Sequence, residues 1–316
     1  MLNRRTALAG LLAAPALVSA SRSRAANAPS EFRIGYQKSG VLVVARQQGT
    51  IEARLKALGV PSVKWVEFQY GPPMMEALGL GSIDFGAVGD TPPVFAQVAG
   101  AKVVYAAATP ASQSAILVPQ DSPIRSLADL KGKKLAFARG SSSHNFVVQA
   151  LAKADLAPSD VQQTFLNPAD AVAAFSRGSV DAWAVWDPYF AIAEKRHNGR
   201  VLTTTKGVLD SYSFYLANRD FAARHPTVLK GAVEALGETI AWSAQNRDKL
   251  ASAISEVTGV ELAIQKHAVD RLQIEIGPMT DEIIQSQQTI ADTFHRLGIV
   301  PRHVTVRDIV WTAPQS

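Results

Sequence analysis

Three short segments of this 316-residue chain combine small or polar residues with the start of a predicted helix. They read Gly89-Asp90-Thr91-Pro92, Gly140-Ser141-Ser142-Ser143-His144 and Trp186-Asp187-Pro188-Tyr189. The first turn of a helix leaves backbone N–H groups unpaired and carries the positive end of the helix dipole, so it attracts anions. Serine hydroxyls add donors without adding charge, and glycine lets the backbone come close to a ligand. The segments therefore predict an anion site built from neutral donors.

Each segment also has a purely structural interpretation. Thr91, Ser141 and Asp187 belong to the residue types that cap helices, and capping is the simpler explanation for any one segment alone. Three segments that face one cleft would favour a ligand instead. In that case we expect Asp90 and Asp187 to cap helices or orient neighbours rather than to contact an anion directly.

Aromatic residues and a histidine accompany these segments. Trp186 and Tyr189 are predicted to form an apolar wall, with packing in the core as the alternative, while Trp183 fits the core better. His144 is expected either to donate to an oxyanion or to lie on the surface of its helix.

Enzyme signatures are missing from the sequence. The six histidines are scattered without metal-binding spacing, and the chain has no cysteine to act as a nucleophile. It also has no Gly-x-Ser-x-Gly elbow and no phosphate loop ending in Gly-Lys. We therefore predict a protein that is not an enzyme and that has no catalytic residues, metal or cofactor.

A ten-residue phrase at 81–90 recurs at 178–187 with six identical positions. Each copy is predicted to contain a helix end, a Gly-Ser turn, a short buried strand and an Asp beside proline. Two such units favour two α/β lobes built alike over one large sheet with a chance similarity. Ligands of open α/β sheets bind beyond the carboxyl ends of the strands, so two lobes with these ends facing each other would form a cleft.

The first 28 residues have the pattern of a secretory signal peptide. A basic head with Arg4 and Arg5 precedes an apolar run over residues 7–20 and a small-residue cleavage region near Ala28. The paired arginines favour twin-arginine export, and the missing aromatic after them leaves Sec export open. With no cysteine to carry a lipid, we expect a soluble periplasmic protein without a lipid anchor.

The mature chain is nearly neutral. Its formal charge of +5 falls to +1 once the four arginines of residues 1–28 are removed. The densest basic group, Lys131, Lys133 and Lys134, is interpreted as a solvated turn, so no nucleic-acid partner is predicted.

Strands alternate with helices through most of the chain, as in parallel sheets, and one helix is predicted over residues 41–58. Residues 221–297 are mostly helical and are expected to pack on the first lobe. We predict a first lobe of residues 29–115 plus 216–316 and a second lobe of residues 116–215.

The chain resembles the aliphatic sulfonate-binding proteins of ABC importers, the SsuA family, over nearly all of the mature sequence. The segments that carry the resemblance are Gly35-Tyr36-Gln37-Lys38, Trp65-Val66-Glu67-Phe68, Gly89 to Gln97, Asp129-Leu130-Lys131-Gly132, Gly140 to His144 and Val180 to Tyr189. The resemblance implies a type II periplasmic binding fold of two α/β lobes with a hinge. It further implies a cleft lined by Gln37, Gly89, Asp90, Thr91, Ser141, Ser142, His144, Trp186 and Asp187.

The resemblance also implies a function and partners. The expected role is the periplasmic component of an importer that captures an alkanesulfonate and delivers it to an ABC permease with its ATPase subunits, most simply as a monomer. Related taurine binders usually carry an acidic residue where this chain has Gln69-Tyr70, which favours sulfonates without an amine. The alternatives are a binder of taurine, nitrate or another small anion and, third, a desulfinase-like enzyme. The missing cysteine argues against the enzyme.

Overall fold

The computed structural model describes residues 28–314 of the chain. Residues 1–27 of the predicted signal peptide lie outside the described residues. The described residues form ten strands: β1 (Phe32–Tyr36), β2 (Val63–Glu67), β3 (Phe85–Val88), β4 (Val103–Pro110), β5 (Ser114–Pro119), β6 (Lys134–Phe137), β7 (Gln162–Phe165), β8 (Ala182–Trp186), β9 (Gly199–Thr204) and β10 (Tyr212–Asn218).

Twelve α-helices of the described residues surround these strands, together with three short 3₁₀ turns. The helices are α1 (Val41–Gln48), α2 (Thr50–Ala57), α3 (Gly71–Gly79), α4 (Thr91–Val98), α5 (Ser142–Ala152), α6 (Pro168–Ser176), α7 (Tyr189–Arg196), α8 (Arg219–Arg224), α9 (Pro226–Gln245), α10 (Arg247–Thr258), α11 (Leu262–Asp270) and α12 (Asp281–Arg296). None of them is long and apolar enough to cross a membrane.

The strands form two five-stranded sheets of the same design. Their orders are β2-β1-β3-β10-β4 and β7-β6-β8-β5-β9. In each sheet the first three strands are parallel, and the fourth runs antiparallel to both neighbours. That fourth strand is the first one after the chain crosses from the other sheet. The first sheet with its helices is called lobe 1 and the second lobe 2, which confirms the predicted two-lobed α/β fold.

The chain passes between the lobes twice. It leaves lobe 1 between Pro110 and Ser114 and returns between Thr204 and Tyr212. The long helical run after residue 218 packs on lobe 1: α9 and α10 contribute to one of the clusters on the first sheet, and α12 contributes to the other.

The repeated phrase marks equivalent strands, since β3 and β8 are each third in their sheet. The aspartate carboxylate that precedes each of these strands makes the same kind of hydrogen bond. Asp84 Oδ2 accepts a 2.8 Å hydrogen bond from the backbone N–H of Arg33, and Asp181 Oδ2 accepts one of 2.7 Å from Lys134. Each aspartate thus joins its strand to the beginning of the strand next to it.

Each sheet is covered on both faces. Along β10, for example, Phe214 and Leu216 pack in one cluster of lobe 1, while Tyr215 and Ala217 pack in the other. This alternation follows from the two-residue period of a strand. Two further clusters cover the faces of the lobe 2 sheet. The sheets therefore serve as rigid supports for the loops at their edges.

The structure corrects the single helix predicted over residues 41–58. Gly49 adopts a left-handed conformation with φ of 64°, ends α1 and directly precedes α2. Glycine enters this region without steric cost, so it allows the turn. The sequence pattern missed the break because apolar residues continue on both sides.

Candidate functional site

A cavity of about 190 Å³ lies between the lobes and is called the cleft below. Residues of both lobes line it, including Gly89 before α4, Ser142 at the start of α5 and Trp186 at the end of β8. The three segments singled out by sequence therefore come together, which is the arrangement under which a ligand site is the better interpretation.

The segments before α4 and α5 meet directly across the lobes. A Cβ atom placed on Gly89 would lie 2.8 Å from both Cβ and Oγ of Ser142. Any larger residue at position 89 would have to push the helix starts apart. Neither Asp90 nor Ser141 forms an N-cap hydrogen bond through its side chain, although the Asp90 carboxylate lies near the backbone N–H of Thr91. The first-turn N–H groups of α4 and α5 are therefore not satisfied by side-chain caps.

The two serines differ in their hydrogen bonds. The hydroxyl of Ser141 donates to the carbonyl of Ala138 at 2.7 Å and lies 2.8 Å from the hydroxyl of Ser143. Ser142 is only partly buried, lines the cleft and makes no hydrogen bond through its side chain to another described residue. Its hydroxyl is free to donate, whereas that of Ser141 is already used within the loop.

Asp90 and Thr91 lie behind the cleft wall, since neither lines the cavity. The Asp90 carboxylate accepts from Asn145 of lobe 2 at 2.7 Å and from the Thr91 hydroxyl at 2.9 Å. Its backbone carbonyl accepts from Gln287 at 2.6 Å. Burial raises the pKa of Asp90 to about 6, against the opposing effect of the hydrogen bonds from Asn145 and Thr91. Asp90 thus links the start of α4 to Asn145 of α5 and to Gln287 of α12.

His144 is in neither of the two places predicted for it. It is 4% exposed, does not line the cleft and packs among the rings of Phe95, Phe137, Phe165 and Phe294. Its Nδ1 accepts a 3.2 Å hydrogen bond from the N–H of Gly140. Burial, with a smaller contribution from Arg139, lowers its pKa to about 4. The imidazole is therefore neutral at physiological pH.

The third segment places an indole and a carboxylate on the lobe 2 wall. Trp186 and Asp187 both line the cleft, whereas Tyr189 packs against the buried ring of Trp183. Asp187 Oδ1 accepts from the N–H of Ala191 at 3.1 Å, a cap on the first turn of α7. Its Oδ2 has no hydrogen-bond partner among the described residues. Burial raises the pKa of Asp187 to about 7, and nearby Arg271 opposes that rise.

A fourth helix start at the cleft escaped the sequence analysis. Gly40, with φ of 74°, precedes α1 without a side-chain cap, and it lines the cleft together with Val41 and Leu42. Gln37, which the resemblance placed in the cleft, is next to them and donates to the carbonyl of Ala87 at 3.2 Å. A glycine followed by an apolar run is the signal that could have identified this helix start.

Hydroxyl groups at the two crossings form another part of the cleft that sequence reasoning missed. They belong to Thr109, Ser112, Ser114, Thr205, Ser211 and Ser213. The predicted crossings lay within a few residues of these positions. Side chains at a hinge between facing lobes lie at the base of the cleft, so the predicted crossings could have identified these hydroxyl groups.

The lining is almost without charge. Of the described residues that line the cleft, Asp187 and Glu275 have charged side chains, and none is a lysine, arginine or histidine. Among residues 28–314, no group of three or more histidine, aspartate or glutamate side chains could hold a metal ion. The cleft thus offers helix starts and neutral donors to a small guest, with apolar contacts from Trp186, Leu42 and Phe146.

Comparison with known proteins gives consistent results. The model of the NMT1-like family matches residues 26–257. A protein of Escherichia coli K12 named as an aliphatic sulfonates-binding protein is 40% identical over 315 residues, which cover 98% of this chain and 97% of that protein. The chain therefore belongs to the NMT1-like family and, within it, to the aliphatic sulfonate-binding proteins.

Two solved structures show the same fold. The periplasmic aliphatic sulphonate binding protein SsuA from Escherichia coli superposes with a TM-score of 0.81 at 38% identity, covering 91% of this chain and 94% of that one. The alkanesulfonate-binding protein SsuA from Xanthomonas axonopodis pv. citri, bound to MOPS, has a TM-score of 0.86 at 36% identity, covering 90% and 99%. These relatives confirm the predicted fold and the prediction of a binding protein rather than an enzyme.

Proposed function

We propose that this protein is the periplasmic solute-binding component of an ABC importer and that it captures aliphatic sulfonates in the cleft. The observation that carries the proposal is the convergence of helix starts from both lobes on one cavity. The names of the similar proteins point in the same direction. The permease and ATPase subunits of the importer are the partners that follow from this role.

The chemistry of a sulfonate fits the lining. A sulfonate is ionised at every relevant pH and presents three acceptor oxygens, so it needs donors and dipoles rather than a titrating base. Uncapped helix starts and the free hydroxyl of Ser142 supply them without a basic side chain. A cavity of about 190 Å³ suits a short chain, and Trp186 offers an apolar wall to its carbons.

The site residues divide into two groups in this proposal. Gln37, Gly89, Ser142 and Trp186 line the cleft and contact the ligand. Ser141 and Asp187 also line the cleft, but each uses a side-chain oxygen in a hydrogen bond within its own segment. Asp90, Thr91 and His144 lie behind the wall and hold it in shape.

A thermal-shift screen tests the ligand class. We expect butane-1-sulfonate to raise the melting temperature, while butylammonium and butanol leave it unchanged at equal concentration. A ligand at a hundredfold its dissociation constant adds about 2.7 kcal/mol to the free energy of unfolding. Calorimetry that detects butylammonium and no sulfonate would disprove the proposal.

A second candidate ligand class is favoured by one side chain. Gln69 and Tyr70, on which the sequence argument against taurine rests, do not line the cleft, whereas the exposed carboxylate of Glu275 does. A carboxylate there would attract an ammonium group on the ligand tail. Taurine binding that weakens in Glu275→Gln, with butane-1-sulfonate binding retained, would support an aminosulfonate as the natural ligand.

Export and domain limits complete the proposal. We propose that residues 1–28 direct the protein to the periplasm, where it acts as a monomer without a lipid anchor, and that the lobes divide within the two crossings near residues 111–113 and 205–211. Arg4→Lys with Arg5→Lys should retain precursor in the cell if the twin-arginine route is used. Normal export of that variant would leave Sec as the route.

A further inference from the structure

Among residues 28–314, two of the contacts that join the lobes beside the cleft differ in burial. The first is between α4 and α5. There Asn145 donates to Asp90 at 2.7 Å with both side chains buried, and the ring of His144 packs against Phe95 and Phe294 of lobe 1. Separating these helices would expose aromatic surface and break a buried hydrogen bond to a carboxylate, which is costly.

The second contact is between α7 of lobe 2 and α11 of lobe 1, and Arg271 is at its centre. Arg271 follows α11 and reaches across to α7. Its Nη2 lies 2.5 Å from Oε2 of Glu194, and its guanidinium carbon lies 3.6 Å from the centre of the Phe190 ring. Its Nη1 lies 3.7 Å from Oδ2 of Asp187, on the wall of the cleft.

The rest of this second contact is small or partly exposed. Its apolar part is a cluster of three buried residues, Ala191, Ile264 and Ala268. His267 also faces Glu194, at 3.3 Å, with 38% of its side chain exposed. Ion pairs that water reaches contribute little to stability, so this part of the contact separates at lower cost than the buried hydrogen bond between Asn145 and Asp90.

We propose that Arg271 is a positioning residue that holds the cleft closed, and that the ligand enters when α7 and α11 separate while the α4–α5 contact stays formed. This inference rests on the proposed function, because it describes how the same cleft admits its ligand. Arg271 closes the entrance and also lies beside the Asp187 carboxyl group, which lines the same wall of the cleft.

The first test measures the rates of binding and release. In Arg271→Gln, we expect butane-1-sulfonate to dissociate at least tenfold faster, because breaking a buried charge pair acts mainly on the dissociation rate. The association rate should change less than threefold. Arg307→Gln is the control, since Arg307 pairs with Asp281 within lobe 1 and its side chain is 61% exposed. A lower melting temperature with unchanged release would show a merely structural role and overturn the proposal.

The second test locks the proposed entrance. The chain contains no cysteine, so no other thiol can form a disulfide with a pair introduced as Ala191→Cys with Ala268→Cys. These two residues lie in the same interlobe cluster. Oxidised without ligand, this variant should fail to bind butane-1-sulfonate, and dithiothreitol should restore binding. Equal association rates in the oxidised and reduced forms would show that the ligand enters elsewhere.

The two tests separate this inference from the function on which it rests. If the parent protein binds no sulfonate, the proposed function fails. The entrance is then still tested by small-angle X-ray scattering, in which the reduced, ligand-free variant should have a larger radius of gyration than the oxidised one. Equal radii would overturn the inference by itself. If the pair forms no cross-link, the release rate of Arg271→Gln decides.

Discussion

At the scale of single residues, the cleft separates donors that are free from donors that are already used. Ser142 and Ser141 both line the cavity, yet the hydroxyl of Ser142 has no partner among the described residues, whereas that of Ser141 donates to the carbonyl of Ala138. Asp90 and His144 are close in sequence to residues that line the cavity, but their polar atoms have partners behind the cavity wall. Residue type alone did not distinguish free polar groups from those that already have partners, because this depends on where each side chain lies relative to the helix start.

The serine pair provides the first prediction. Ser142→Ala should weaken butane-1-sulfonate binding about tenfold or more, because a hydrogen bond to a charged group contributes roughly 1.5–3 kcal/mol. Ser141→Ala should change the affinity less than threefold and lower the melting temperature instead, since it removes a loop hydrogen bond. Calorimetry and thermal unfolding of both variants check this. Equal losses of affinity would place both hydroxyls on the ligand.

The second prediction concerns His144 and the pH dependence of stability. Its pKa is lowered to about 4 by burial, whereas an unfolded histidine titrates near 6.5. The unfolded state therefore binds more protons between these values, and stability falls as pH drops. From pH 7 to pH 5 this amounts to about 2 kcal/mol in the free energy of unfolding.

His144→Phe should remove that loss, since phenylalanine suits the surrounding rings. Asp90 and Asp187 have raised pKa values and act in the opposite direction, because the stability they contribute at low pH is lost as pH rises through about 6 and 7. The comparison of parent and variant isolates the histidine. Urea unfolding at both pH values should show the variant gaining about 2 kcal/mol on the parent at pH 5. A constant difference would mean that His144 is not the group responsible.

At the scale of elements, the repeat in the sequence was the most reliable guide. It identified β3 and β8 as equivalent strands and predicted two lobes built alike, because a repeated phrase reports a repeated unit. Local signals were weaker. The break at Gly49 and the helix start at Gly40 both depend on a glycine with a positive φ, and glycine is also common where no such turn occurs. The sequence therefore predicted the two repeated units well and the exact ends of individual helices less well.

The repeated aspartates give the third prediction, with each copy as a control for the other. Asp84 accepts hydrogen bonds from Arg33 through the backbone N–H, Nε and Nη2, the last at 2.6 Å. Asp181 accepts one, from the backbone N–H of Lys134. Asp84→Ala should lower the free energy of unfolding by about 3 kcal/mol and Asp181→Ala by about 1 kcal/mol. Urea titration measures both, and equal losses would show that the side chain of Arg33 adds nothing.

At the scale of the whole molecule, the essential contacts join residues far apart in the chain. Arg271 is next to Asp187 and Glu194 although more than seventy residues separate it from either. Periodicity and motif spacing describe neighbours along the chain, so they could not predict this contact, nor the glutamate at position 275 in the cleft. They did predict that the chain crosses between lobes twice, which is the requirement for a hinge.

The last prediction tests that hinge through the two tryptophans of β8. Trp186 lines the cleft, whereas Trp183 is 1% exposed in the core of lobe 2. Closure around butane-1-sulfonate should shield the indole of Trp186 from water and change its fluorescence. Trp183 is already shielded from water, so its fluorescence should not change. Trp186→Phe should therefore abolish most of the ligand-induced signal, although three other tryptophans remain beyond this pair. Trp183→Phe should keep the signal at a lower melting temperature. A signal that survives in Trp186→Phe and disappears in Trp183→Phe would mean that binding rearranges the core of lobe 2, and hinged closure of two rigid lobes would be the wrong description.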